Sequence, residues 1–187
     1  MTFRLQLFVY KQLNTQQTMK PEFLFRGQRI ILIRGLPGSC KSTLAASLVD
    51  EAEARGVHIS HYENDMYHYI DGVYRFDPDR QWDAVQWCKE RTLEDILLGK
   101  TVIVSNVFGS LRTYNQYVNL ANCLGINRTT LHCVSQRGTV HDVPKHVMES
   151  MAKNFEPIPD EIEVEAVDGK FIFTVPVEGF RTVHAEI

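Results

Sequence analysis

Apolar residues fall in two rhythms along this chain, and the change of rhythm organises it. Arg29–Arg34 (RIILIR) is a short, nearly unbroken apolar run, the pattern of a strand covered on both faces. Ser42–Arg55 follows with helical spacing, Leu44 and Leu48 sharing a face and Gly56 marking its end. Val57–Tyr62 predicts a second strand, and Asp71-Gly72 predicts a turn. Asp77-Pro78 has the form of an N-cap with proline in the first helical position. The helix it opens is expected to reach about Leu98, with Trp82, Val85, Cys88, Thr92, Leu93, Ile96 and Leu97 as its apolar stripe. Thr101–Ser105 predicts a third strand, residues 112–124 an amphipathic helix, and Thr129–Val134 a fourth strand. A polar stretch then leads to Pro144 and to Val147, Met148, Met151 and Phe155 at helical spacing.

Beyond Pro159 the period drops to two. Glu161–Glu165 and Lys170–Val175 flank Asp168-Gly169, a hairpin signal, and Pro176 suggests an edge strand. Strands alternating with helices predict an α/β fold with a doubly wound, mostly parallel sheet and a C-terminal β-hairpin. The organisation read from this pattern is an N-terminal extension at 1–28, a core at 29–157 with a lid near 135–143, and a hairpin appendage at 158–187.

The loop after the first strand carries the chemistry. Gly35-Leu36-Pro37-Gly38-Ser39-Cys40-Lys41-Ser42, followed by Thr43, matches the phosphate-loop pattern G-x-x-x-x-G-K-[ST] except at Cys40. Main-chain N–H groups in such a loop must converge on phosphate, so glycines belong where the chain turns tightly, and the next helix aims its N-terminus at the anion. Lys41 adds a point charge for the β- and γ-phosphates, and the Ser42 hydroxyl suits Mg²⁺. A Cβ at position 40 costs about 1–2 kcal/mol if φ is positive there, and much less otherwise. The thiol is either a tolerated small side chain or, beside Lys41 and a helix start, a redox-sensitive one.

Asp65, just past the second strand, belongs at the carboxyl edge of such a sheet, where ligands bind. It can accept the proton of an attacking hydroxyl, hold water on Mg²⁺, or simply cap a helix; Glu63 is a weaker competitor. Arg137 sits on a basic loop suited to closing over a transferring phosphoryl group. His141 either touches phosphate or fixes that loop. Tyr67, Tyr69, Tyr74 and Phe76 can stack a base or pack the fold.

These residues, in this order, resemble one family. RGLPGSCKST (34–43), ENDMY (63–67), DGVYRFDP (71–78), VIVSN (102–106), RGTVHDVP (137–144) and MAKNFE (151–156) are similar to the P-loop kinases related to phage polynucleotide 5′-hydroxyl kinase, with the zeta-toxin-like kinases more distant. Small single-domain members of the group are often labelled only as ATPases. The resemblance implies a sheet of the P-loop nucleoside triphosphate hydrolase and kinase type, and ATP and Mg²⁺ as cofactors. It makes Lys41 and Ser42 the phosphate and metal residues, Asp65 the general base and Arg137 the lid arginine. Three departures stand out: Cys40 replaces a loop glycine, Asn106 stands in place of an aspartate, and His68 in place of an arginine near the acceptor. The activity implied is transfer of the γ-phosphoryl group to a hydroxyl, with a nucleic-acid 5′ end as acceptor. The alternatives are a nucleoside, nucleotide or small-metabolite kinase, and a nucleotide-binding regulator with weakened catalysis.

Charge and composition bound these readings. A net charge of −3 argues against coating long duplex but leaves room for one nucleic-acid end. Five Lys/Arg against one acid in residues 1–30 face seven acids against two bases in Asp160–Glu186, two solvated segments of opposite sign. Four scattered cysteines without a paired spacing fit free thiols in a reducing cytoplasm. No apolar run approaches a membrane span, and the opening MTFRLQLFVYKQLN lacks the length and cleavage site of a secretory signal.

Overall fold

The computed structural model describes residues 22–138, 143–177 and 180–186. Strand β1 (Arg29–Arg34) is an interior strand of a seven-stranded sheet with β2 (Ile59–Tyr62), β5 (Thr101–Ser105), β6 (Asn127–Cys133), β7 (Ile162–Val167), β8 (Lys170–Val177) and β9 (Phe180–Glu186). Their order is β2-β5-β1-β6-β7-β8-β9. The first five run parallel, and β8 and β9 continue antiparallel. Two further strands, β3 (Tyr69–Ile70) and β4 (Val73–Tyr74), form a separate small hairpin.

The apolar run of β1 is buried on both sides because two layers of helix cover it. Ile31 and Ile33 meet Leu44, Ala45 and Leu48 of helix α1 (Lys41–Glu53). Ile30 and Leu32 face the opposite layer, with Cys88 and Ile96 of α2 (Gln81–Leu97) and Tyr114, Tyr117 and Ala121 of α3 (Leu111–Leu124). Each such aliphatic side chain contributes about 1.5–3 kcal/mol by leaving water. The doubly wound architecture expected from the alternating pattern is therefore present, and so is the C-terminal hairpin. Its first arm, β7, is the fifth parallel strand, with Leu131 opposite Ile162.

Local chemistry sets the boundaries. Ser110 caps α3, its hydroxyl accepting from the Thr113 N–H, and Gly125 at φ 64° closes it. Asp168 (φ 48°) and Gly169 (φ 80°) make a two-residue turn with both dihedrals positive, which pairs Val167 with Lys170. The Asp77 carboxylate accepts from the Asp79 N–H, but the cap opens a 3₁₀ turn at Pro78–Arg80, and α2 begins only at Gln81. The buried stripe is narrower than the expected one: Ala84, Cys88, Thr92, Asp95 and Ile96 are buried, while Trp82, about 120° around the helix from Cys88, is 70% exposed and Leu97 67%. Pro176 does not mark an edge, because β9 pairs outside it. The proline lies where the β8–β9 register slips between Val175 and Val177, the irregularity that lets a strand do without one donor. A final helix, α4 (Lys145–Lys153), precedes β7.

Candidate functional site

The chain reverses direction across the sheet at β1, leaving through α1 to β2 on one side and returning from β5 through α3 to β6 on the other. Ligands of such sheets bind at the carboxyl ends of the strands beside this switch. Gly35–Cys40 occupy that place. At Gly35 a Cβ would lie 2.4 Å from Ser39 Oγ and 2.5 Å from the Cys133 carbonyl oxygen, so no side chain fits while the loop hugs β6. Ser39 is buried and its amide donates to the Leu36 carbonyl at 3.2 Å, tightening the turn. Gly38 has φ 80°.

Cys40 is the N-cap of α1, at φ 69° and ψ 23°, and its side chain makes no capping hydrogen bond. The sulfur therefore leaves the first amides of α1 to an anion. The sequence left the sign of φ open; the structure makes it positive, so the side chain is strained. Cys40→Gly is expected to stabilise the fold by about 1 kcal/mol, the relief of left-handed strain less the added freedom of an unfolded glycine. Thermal melts check this. Cys40→Ala should recover none of the gain, since the Cβ and not the sulfur is strained.

Lys41 curls back over the loop, its Nζ donating to the Leu36 carbonyl at 2.9 Å. Burial pulls the ammonium below its ordinary pKa, opposed by the neighbouring carboxylates of Glu63 and Asp65. Burial pushes the Cys133 thiol up to about 12, against the pull of Lys41, so that thiol is protonated and inert.

Two strand ends and one helix start meet beside the loop. The Ser42 hydroxyl, on the exposed first turn of α1, donates to Glu63 Oε2 at 2.8 Å. The buried Ser105 hydroxyl at the end of β5 donates to the same oxygen at 2.8 Å. His61 Nε2 lies 2.8 Å from Ser105 Oγ. Burial lowers the His61 pKa, with Glu63 opposing. Sequence reasoning ranked Glu63 second and missed His61 and Ser105. The adjacency of the β2 and β5 ends was the only signal that could have found them.

Asp65 stands in the 3₁₀ turn Asn64–His68 that follows β2. The Tyr74 hydroxyl of β4 lies 3.5 Å from its Oδ1. Burial, then the Asp65 charge, push that phenol up to about 12. Asn106 braces this turn. Its Oδ1 accepts from the Asn64 amide at 2.9 Å, and its Nδ2 reaches Cys88 Sγ at 3.8 Å, so the carboxamide faces inward at both ends. His68 is fully buried among the rings of Tyr67, Tyr74 and Phe76, with Nε2 3.4 Å from Gln81 Oε1. It supports the β3–β4 hairpin rather than lining an open surface.

Arg137 reaches the loop through its backbone, the amide donating to the Gly38 carbonyl at 3.0 Å. Its exposed guanidinium donates instead to the Ala166 carbonyl of β7 at 2.8 Å. His141 lies outside the described residues. Hard oxygen donors, Ser42 Oγ and the Glu63 carboxylate, fit a magnesium ion that completes its shell with water and phosphate oxygens. Among the described residues no cluster of three or more His, Cys, Asp or Glu could hold a metal, and no helix is long and apolar enough to cross a membrane.

Sheet order and loop together define a P-loop α/β protein. No family model matches the chain. Over 78 residues it is 38% identical to human NEDD4-binding protein 2, a match spanning 42% of this chain and 4% of that much longer protein. A chain of the Pnkp1/Rnl/Hen1 RNA repair complex superposes with a TM-score of 0.55 at 16% identity, covering 77% of this chain and 50% of the other. A gluconokinase from Sinorhizobium meliloti 1021 gives 0.52 at 18% identity, covering 77% and 85%. A sugar kinase from Janibacter sp. HTCC2649 gives 0.50 at 20% identity, covering 74% and 84%. The fold is that of the P-loop kinases.

Proposed function

We propose that this chain is an ATP-dependent phosphotransferase that moves the γ-phosphoryl group to a hydroxyl, the preferred acceptor being a nucleic-acid 5′ end. One observation carries the reading: Lys41 folded over the glycine-flanked loop, with Ser42 and two carboxylate residues, Glu63 and Asp65, gathered at the carboxyl edge of the sheet. In this reading the amides of Gly35–Thr43 and the Lys41 ammonium hold the triphosphate. Mg²⁺, which the Ser42 hydroxyl and a neighbouring carboxylate would hold, would neutralise charge on the phosphoryl oxygens. Asp65, touched by Tyr74, takes the proton of the incoming hydroxyl. Arg137, already anchored to Gly38 through its backbone, swings its guanidinium from the Ala166 carbonyl to the transferring group. That swing gives up one exposed hydrogen bond, worth about 1 kcal/mol.

The nucleic-acid acceptor is favoured by the likeness to the RNA repair complex chain and by the aromatic hairpin beside Asp65, where Tyr69 and Phe76 are more than half exposed. A small-metabolite kinase is favoured by the gluconokinase and sugar kinase neighbours. Incubation with γ-labelled ATP, Mg²⁺ and a panel of 5′-hydroxyl oligonucleotides, nucleosides and sugars separates the two. Label is expected on the oligonucleotides. Label on a small acceptor alone moves the assignment to the second reading, and ATP binding without transfer to any acceptor makes the chain a nucleotide-binding regulator.

A further inference from the structure

Neither Ser105, the last residue of β5, nor Asn106 after it supplies a carboxylate beside the phosphate loop, and the structure offers another. Ser105 ends β5 directly opposite Ile33 of β1 and is 1% exposed. Its short side chain carries no charge. Glu63, one strand further out, reaches inward past it, and Glu63 Oε2 accepts from both Ser42 and Ser105 at 2.8 Å. His61 Nε2 lies 2.8 Å from the same Ser105 hydroxyl, which in turn donates to Glu63, so a chain of contacts runs from β2 through β5 to the carboxylate. This chain of contacts holds one carboxylate oxygen against the Ser42 hydroxyl.

On the kinase reading above, we propose that Glu63 is the carboxylate that holds the nucleotide's divalent cation, and that Ser105 and His61 are positioning residues that orient it. Asp65 is left to the acceptor side. The two carboxylates differ in their partners: Glu63 is bonded to the P-loop hydroxyl, whereas Asp65 meets the phenol of Tyr74 on the β3–β4 hairpin. A single carboxylate and a hydroxyl make an incomplete shell for a cation that needs six oxygens. Binding of the free cation is therefore weak, and the nucleotide's phosphates supply what is missing.

Mn²⁺ titration followed by electron paramagnetic resonance, with and without a non-hydrolysable ATP analogue, tests this without measuring turnover. Glu63→Gln keeps an oxygen able to accept from Ser42 and Ser105 but removes the charge. It is expected to weaken Mn²⁺ binding in the ternary complex about 10–100-fold, while analogue binding in EDTA stays at the wild-type level. Asp65→Asn should leave Mn²⁺ affinity within about twofold, an effect of well under 1 kcal/mol. Because Ser105 Oγ and Glu63 Oε2 are 2.8 Å apart, a carboxylate at 105 can occupy the same spot. The double variant Glu63→Ser/Ser105→Asp should therefore regain most of the lost affinity, which also shows that the loss was not misfolding. An unchanged Mn²⁺ affinity in Glu63→Gln, or a loss in Asp65→Asn alone, overturns the assignment and leaves the kinase reading intact. Failure of the wild type to bind the analogue in EDTA overturns both.

Discussion

Replacement of Lys41 by alanine lowers kcat/KM for ATP by about 10³-fold, at the upper end of what removing one preorganised charge donor costs. The structure argues for the upper end. The ammonium is not a solvated charge that must be captured; it already lies against the Leu36 carbonyl, inside the loop proposed to bind the phosphates. Burial destabilises it there, and Glu63 and Asp65 restore only part of that loss. An arriving polyphosphate relieves this strain, so the interaction gains more than an exposed lysine would. Lys41→Arg should rescue little, because a planar guanidinium cannot replace a compact ammonium donating to one carbonyl. The circular-dichroism melt of Lys41→Ala should stay close to wild type, since only one hydrogen bond, worth about 1 kcal/mol, is lost. A kinase rate within tenfold of wild type for Lys41→Ala would remove the loop from the mechanism.

The features legible in the sequence are those encoded locally. RIILIR had to be a strand covered on both faces, and a glycine-rich turn running into a helix had to lie at its end. The Asp168-Gly169 turn was legible for the same reason, since two positive φ angles leave few residue choices. What the sequence concealed depends on how distant segments meet. Glu63 and Ser42 are 21 residues apart and Glu63 and Ser105 are 42, and no periodicity within any one segment records that they share an oxygen. Asn106 sits at a position that suggests catalysis, yet the pairing of β1 with β5 turns its carboxamide inward to brace Asn64. Strands of two residues, such as β3 and β4, are too short for a period, so the burial of His68 beneath them was not visible. Trp82 misled for a different reason: it lies about 120° around α2 from Cys88, so a stripe drawn wide enough to include it ran off the buried face.

The largest effect on stability is expected at the buried carboxyl end of β1. Arg34 is fully buried, immediately before Gly35, and its guanidinium donates to Glu161 Oε2 at 2.9 Å and to the Glu156 carbonyl at 2.7 Å. It also lies 4.1 Å over the Phe155 ring, on which His132 stacks while reaching Glu161 Oε1 at 2.8 Å. This cluster ties the ends of β1 and β6 to the segment entering β7, and so fixes where the phosphate loop begins. Glu161→Gln leaves the guanidinium buried without its counter-charge and should cost about 3–5 kcal/mol. For a chain of this size that is a fall in melting temperature of about 10 °C. Burial alone would push the Glu161 carboxyl up, but the bonds and charges of His132 and Arg34 outweigh it and hold it below the usual carboxylate range. A depressed folded pKa means stability that is complete above the unfolded pKa, near 4.5, and lost as pH falls through the lower folded value. Wild-type protein should therefore lose this stabilisation only below about pH 4.5, and Glu161→Gln should lack that part of the acid limb. Arg34→Met combined with Glu161→Gln removes the orphaned charge and should recover much of the single variant's loss. Chemical denaturation at pH 7 and pH 3 reads all three. Equal destabilisation of Glu161→Gln at both pH values would show that shape, and not the ion pair, holds this end of the sheet.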